Sequence, residues 1–195
     1  MVRKSTTPAR TAPHEVRIIG GAWKRTKLPV IDRPGLRPTP DRVRETLFNW
    51  LGHDLAGWRC VDAFAGTGAL GLEAASRGAA DVLLVEAEGA LVDQLRAVVQ
   101  RLDAGNVRVQ RGNGLNVLAA LPPASVDVVF LDPPFDAQVF DKALAAARPA
   151  IGAQGCIYLE APTQWDGEAV QRHGLATVRH LKAGAVHGHL LRPVA

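Results

Sequence analysis

From Cys60 onward, short apolar runs alternate with stretches of helical spacing, and that alternation leaves few folds open. Strands are expected at Cys60–Phe64, Val82–Glu86, Val107–Gln110, Val126–Leu131 and Cys156–Glu160. Helices fill the gaps, roughly Ala69–Arg77, Gly89–Asp103, Asn116–Leu121 and Ala137–Ala147. Strand, helix, strand at this pitch means right-handed crossovers, and so a parallel sheet with helices on both faces. The fold class read from this is α/β. Beyond Val170 the pattern weakens, and Leu175–Leu181 with Val186–Leu191 reads as a closing antiparallel pair. No internal repeat is visible.

At 195 residues and 47% hydrophobic, the chain suits one globular domain with an appendage. No apolar stretch reaches the length of a membrane span. The N-terminus is polar and basic without an apolar segment, so it does not read as a secretory signal. Cys60 and Cys156 lie far apart in no metal-type or redox-type spacing. They read as reduced, buried thiols, and the chain as cytoplasmic. Net charge is +4, unevenly spread: residues 1–60 carry 12 Lys/Arg against 5 Asp/Glu, residues 61–195 carry 11 against 14. A basic N-terminal block points to a polyanion, with a solvated face and no partner as the plainer alternative. The candidate contacts are Arg17, Lys24, Arg25, Arg37, Arg42 and Arg44, with Trp23 either stacking or in the core.

The first 13 residues read as a disordered basic tail. Residues 14–52 read as an extension and 53–195 as the main domain. In the extension, Val16–Ile19 and Gly20-Gly21 read as a strand and turn, with Lys27–Ile31 as its partner strand. Arg33–Pro38 reads as a loop. A helix then opens at Thr39-Pro40-Asp41, with Thr39 suited to the N-cap and Pro40 to the first turn. Val43, Leu47, Trp50 and Leu51 share one face of it, and Arg42, Glu45 and Asn49 the other.

Asp62-Ala63-Phe64-Ala65-Gly66-Thr67-Gly68-Ala69-Leu70-Gly71 follows the first strand and opens a helix. Glycines there allow a tight turn and close backbone approach to a ligand. Glu86 ends the next strand, where a carboxylate accepts two ribose hydroxyls. Gly66-x-Gly68-x-x-Gly71 fits a dinucleotide fingerprint literally. Asp62 argues for S-adenosylmethionine instead, because a carboxylate beside that loop repels a pyrophosphate and attracts a sulfonium. After the third strand, Asn113 offers a donor and an acceptor to an adenine edge, or simply a turn.

Asp132-Pro133-Pro134-Phe135 follows the fourth strand. The two prolines hold a turn without offering N–H donors, which leaves a carboxylate and a carbonyl to accept hydrogen bonds from an exocyclic NH₂. Phe135 suits stacking on the ring that carries the amine. An ordinary strand-ending turn is the alternative. If the first and fourth strands are neighbours, both motifs face one crevice at the sheet's switch point.

Taken together, Asp-x-Phe-x-Gly-x-Gly and Asp-Pro-Pro-Phe resemble the S-adenosylmethionine-dependent methyltransferases that act on exocyclic amines. Arg17–Gly21, Lys27–Val30, Gly35–Thr39 and Asp41–Leu51 narrow the resemblance to the RsmD family, across about residues 16–160. That family methylates N2 of one guanine in bacterial 16S ribosomal RNA. The resemblance implies a Rossmann-like class I methyltransferase sheet with a small N-terminal β-hairpin and helix that binds RNA. It places Asp62, Phe64, Gly66 and Gly68 around the methionine moiety, Glu86 on the ribose, Asn113 on the adenine side, and Asp132, Pro133, Pro134 and Phe135 in the catalytic turn. The implied partner is 16S rRNA within the small subunit, bound by a monomer away from membranes. Gly188 stands where that family has an aromatic. His187 and His189 share a strand face, and no third metal ligand is evident. An adenine-N6 DNA methyltransferase, a nicotinamide oxidoreductase and a non-catalytic RNA-binding or assembly factor stay open as rivals.

Overall fold

The computed structural model describes residues 15–31, 39–134 and 137–194. The basic tail, Arg37, Phe135 and the Arg33–Pro38 loop lie outside the described residues.

The chain begins with a hairpin of β1 (Glu15–Arg17) and β2 (Lys27–Pro29), followed by α1 (Asp41–Leu51). The alternating region supplies β3 (Arg59–Asp62), α2 (Ala69–Ser76), β4 (Asp81–Glu86), α3 (Gly89–Arg101), β5 (Val107–Arg111), α4 (Gly114–Ala120), β6 (Val126–Leu131) and α5 (Ala137–Ala147). It closes with β7 (Ile151–Ala161), α6 (Glu168–Gln171), β8 (Leu175–Ala183) and β9 (Val186–Pro193). The seven-stranded sheet has the order β5-β4-β3-β6-β7-β9-β8. Strands β3 to β7 run parallel, and β9 and β8 add an antiparallel edge. The order reverses between β3 and β6, which are neighbours as the switch-point argument required.

Each face of the sheet buries its own core. The hairpin, α1, α2 and α3 cover one face, and Val16, Ile18, Leu28, Phe48 and Leu72 pack there with Phe130 and Tyr158. Helices α4 and α5 cover the other, where Phe140 and Leu144 meet Val129 and Leu159. Helix α1 splits into faces much as its spacing predicts: Val43, Leu47 and Leu51 are buried and Arg42, Glu45 and Asn49 exposed, but Phe48 is buried where Trp50 was expected and Trp50 is half-buried. Each such side chain contributes roughly 1.5–3 kcal/mol when fully buried.

Three local expectations change. Thr39 is not the N-cap of α1, which starts one residue later at Asp41, with Pro40 as cap and no side-chain cap bond. Thr39 is buried instead and hydrogen-bonds the Glu160 carboxylate. Helix α4 starts at Gly114 rather than Asn116, because Asn113 caps it. The strand expected at Cys156–Glu160 runs from Ile151 to Ala161, and α6 had no sequence signal strong enough to expect.

The hairpin turn lies directly on the C-terminal end of α2. Glu73 of α2 accepts hydrogen bonds from the Ile19 and Gly20 amides at 2.7 and 2.8 Å. Ala22 N donates to Ser76 O at 2.7 Å, and Ser76 Oγ donates to Gly20 O at 2.6 Å. Gly21 has φ +76°, and a Cβ there would stand 1.8 Å from the Ser76 carbonyl oxygen. Only glycine lets the two backbones meet at that distance.

Candidate functional site

A cavity of about 650 Å³ opens at the C-terminal ends of β3, β4, β5 and β6. Asp62, Phe64, Gly66, Glu86, Asn113 and Asp132 line it, with Pro133 and Pro134 at its edge. The glycine loop and the Asp-Pro-Pro turn therefore share one crevice. Gly68 does not line it. It sits at φ +78° as the left-handed N-cap of α2, and a Cβ there would strike Leu95 Cδ2 at 2.7 Å. It shapes the turn that opens α2 and the packing behind it.

Glu86 is held rigidly. Its Oε2 accepts from Gly66 N and its Oε1 from Glu88 N, both at 2.9 Å. Each oxygen keeps a second acceptor site, so a pair of vicinal hydroxyls meets an oriented carboxylate. Asn113 is less free than its sequence implied. Its Oδ1 caps α4, accepting from Leu115 N at 2.9 Å and Asn116 N at 3.4 Å. The side-chain NH₂ is the group left to face a ligand.

The crevice floor is acidic. Asp62 is buried, and its Oδ2 accepts from Gly71 N at 3.0 Å. Burial lifts its carboxyl to about 7, against the pull of the Gly71 and Phe64 amides, with Glu86 and Glu160 adding to the rise. Asp132 is also held well above the usual carboxylate range, first by burial and then by Glu160 and Asp62. Glu160 is buried and raised by burial, while hydrogen bonds from Tyr158 and Thr39 and the charge of Arg44 favour its ionised form. The Tyr158 hydroxyl lies 2.9 Å from Glu160 Oε1.

These features suit a nucleoside that carries positive charge: fixed acceptors for a pair of hydroxyls and carboxylates close by. A diphosphate would face the same carboxylates and be repelled. The chain matches the family described as Conserved hypothetical protein 95 over residues 16–192. It is 51% identical over 128 residues to ribosomal RNA small subunit methyltransferase D of Escherichia coli K12, an alignment covering 66% of this chain and 64% of that protein. The protein of the same name from Haemophilus influenzae is 42% identical over 147 residues, 74% of this chain and 75% of its own. This chain belongs to the RsmD family. Two solved structures agree with the RsmD assignment in shape: yhhF from Escherichia coli, at TM-score 0.80 and 40% identity, and HI0767 from Haemophilus influenzae, at 0.76 and 32%. Each comparison covers 93% of this chain and 99% of the other.

The basic residues of this RsmD-family chain divide. Arg17, Lys24, Arg25 and Arg42 are exposed on the hairpin and α1. Arg44 is fully buried, contrary to its expected role at a phosphate. Its guanidinium bonds Asp41 at 2.6 Å, Glu73 at 3.4 Å and the Thr39 carbonyl at 3.2 Å. Helical position alone put it one residue from the exposed face, but Glu73 on α2 draws it inward. Trp23 is half-buried against the core. His180 joins His187 and His189, which the sequence did not reveal. His180 Nε2 lies 2.9 Å from His187 Nδ1, but His189 is spent on Trp165 N and Leu159 O. Burial holds His189 down to about 4, so it is neutral at pH 7. Two imidazoles fall short of the ligand set of a structural metal site.

Sequence reasoning also missed Glu160. The signal was present: an acid closing an apolar strand, as at Asp62, Glu86 and Asp132. At Gly188, the missing aromatic leaves room for Tyr158, whose hydroxyl would lie 2.8 Å from a Cβ there.

Proposed function

We propose that this chain transfers a methyl group from S-adenosylmethionine to the exocyclic N2 of a guanine in 16S rRNA of the small ribosomal subunit. The observation that carries the reading is that the acceptor-rich Asp132-Pro133 turn, the Gly66 loop and Glu86 open into one cavity. The names of the Escherichia coli and Haemophilus influenzae relatives support it.

When bound, S-adenosylmethionine supplies an electrophilic methyl on a sulfonium. Glu86 would hold the ribose and the Asn113 NH₂ the adenine side, while Asp62 and the Gly66 backbone flank the methionine end. The Asp132 carboxylate and the Pro133 carbonyl accept the two N2 protons, which turns the nitrogen lone pair toward the methyl carbon. The bound donor would give up its methyl as a thioether leaving group, and Asp132 would take the amine proton released. Acceptors fixed in advance stabilise the positive charge developing on nitrogen, and alignment contributes the rest. Phe135 would stack on the base, which must leave its own stack to enter. Arg17, Lys24, Arg25, Arg37 and Arg42 would hold RNA phosphates.

The test is transfer of labelled methyl to small ribosomal subunits lacking the modification, with nucleoside analysis of the product. Label in N2-methylguanine of 16S rRNA is the expected result. Label in N6-methyladenine of duplex DNA, or none in either, overturns the assignment.

A further inference from the structure

Strand register sets Asp132 beside Glu160, with Asp62 one repeat behind on the neighbouring strand. Asp62 pairs with Phe130 between β3 and β6, and Phe130 pairs with Tyr158 between β6 and β7. Two residues on, β6 gives way to Asp132 while β7 reaches Glu160, on the same side of the sheet as Phe130 and Tyr158. Asp132 and Glu160 thus stand level at two adjacent strand ends, with Asp62 on the same side of the sheet two residues behind them on β3. Glu160 is the member with the most protein partners: Tyr158 at 2.9 Å, Thr39, and Arg44 nearby. Those partners stabilise it as an anion. Asp132 has Glu160 on one side and Asp62 on the other, with Glu86 beyond Asp62, and Tyr158 also near.

An acid that must accept a hydrogen bond from the amine and then take up its proton has to be ionised at the moment of transfer. A buried acid beside an anion resists ionisation. A cation in the crevice removes that resistance. Resting on the reading that the crevice holds S-adenosylmethionine, we propose that Glu160 is a positioning residue that sets the charge of Asp132: Asp132 keeps a proton until a sulfonium enters, and then releases it. The arrangement makes the acceptor competent only when the methyl donor is in place. Thr39 and Arg44 belong to the N-terminal extension, so the extension favours the ionised form of Glu160.

Calorimetric titration of the intact chain at pH 7 tests this, with S-adenosylmethionine and, separately, S-adenosylhomocysteine, which lacks the sulfonium. Each is run in two buffers of different ionisation heat, which yields the protons exchanged. About one proton is expected to leave with S-adenosylmethionine and close to none with the thioether. In Glu160→Gln the release should fall, leaving at most the share that Asp62 sheds, while thioether affinity changes less than about threefold, a shift of under 1 kcal/mol. Tyr158→Phe, a milder change should the first variant fold poorly, should reduce the release. Equal release with both ligands, or unchanged release in both variants, overturns the proposal. Binding of neither ligand removes the cofactor reading and this inference with it, whereas binding without proton release removes only the inference.

Discussion

Asp62 carries a cost in stability that its place in the crevice explains. Its carboxyl sits at about 7 in the folded chain, against an ordinary value of 3.8. A raised acid binds its proton more tightly when folded than unfolded, so its contribution to stability is full below the unfolded value. That contribution is lost as pH rises from about 4 to about 7. The cost at pH 8 is on the order of 4 kcal/mol. Asp62→Asn keeps an acceptor for Gly71 N and removes the charge. Urea titrations should find it more stable than the parent at pH 8 and nearly equal at pH 4.5; no gain at pH 8 counts against a buried, reluctant acid. Asp132→Ala removes the proposed amine acceptor. It should lower the rate of methyl transfer by at least a hundredfold with the fold intact by circular dichroism, and near-normal turnover would sink the role.

The joint between the hairpin and α2 works as an element of its own. Glu73 is fully buried and bonds the Ile19 and Gly20 amides, Arg44 and Arg77 at once. Arg77 in turn lies over the Phe48 ring, 4.8 Å from its centroid. A buried pair stripped of one partner leaves an uncompensated charge, at a cost of about 3–5 kcal/mol. Glu73→Gln should therefore destabilise the chain by an amount in that range, read from chemical denaturation. Gly21→Ala strains a left-handed position and presses on the Ser76 carbonyl, and should cost about 1–3 kcal/mol. Both variants should weaken RNA binding more than cofactor binding, because the joint lies at the far end of α2 from the glycine loop.

At the scale of the whole molecule, charge and chemistry are segregated. The acidic floor sits in the crevice, and the exposed cations Arg17, Lys24, Arg25 and Arg42 sit on the extension. A phosphate chain held by the extension would deliver a base to the crevice while staying clear of its carboxylates. Affinity for a 16S fragment should fall steeply with salt. The double variant Lys24→Glu, Arg42→Glu should reduce the slope of log affinity against log salt by roughly 1–2 and leave S-adenosylmethionine affinity unchanged. Loss of both affinities together would indicate unfolding rather than a lost phosphate contact.

Most of the sheet was legible because strand and helix periodicity belongs to neighbours in the chain. Val126–Leu131 and Ala137–Ala147 have the limits their apolar patterns predict. The glycine loop, Glu86 and the Asp-Pro-Pro turn were legible for the same reason: each is a local motif at a strand end. Contacts between segments far apart in sequence were not. Arg44 turns inward because Glu73 waits 29 residues away. Asn113 spends its oxygen on the first turn of α4, and Gly68 packs against Leu95 and Leu72. The sequence by itself determined the α/β class and which strand ends carry acids. The tertiary structure alone decided that Asp132 stands level with Glu160, with Asp62 on the same side of the sheet, because register between parallel strands is set by packing across the sheet and leaves no mark on either strand alone.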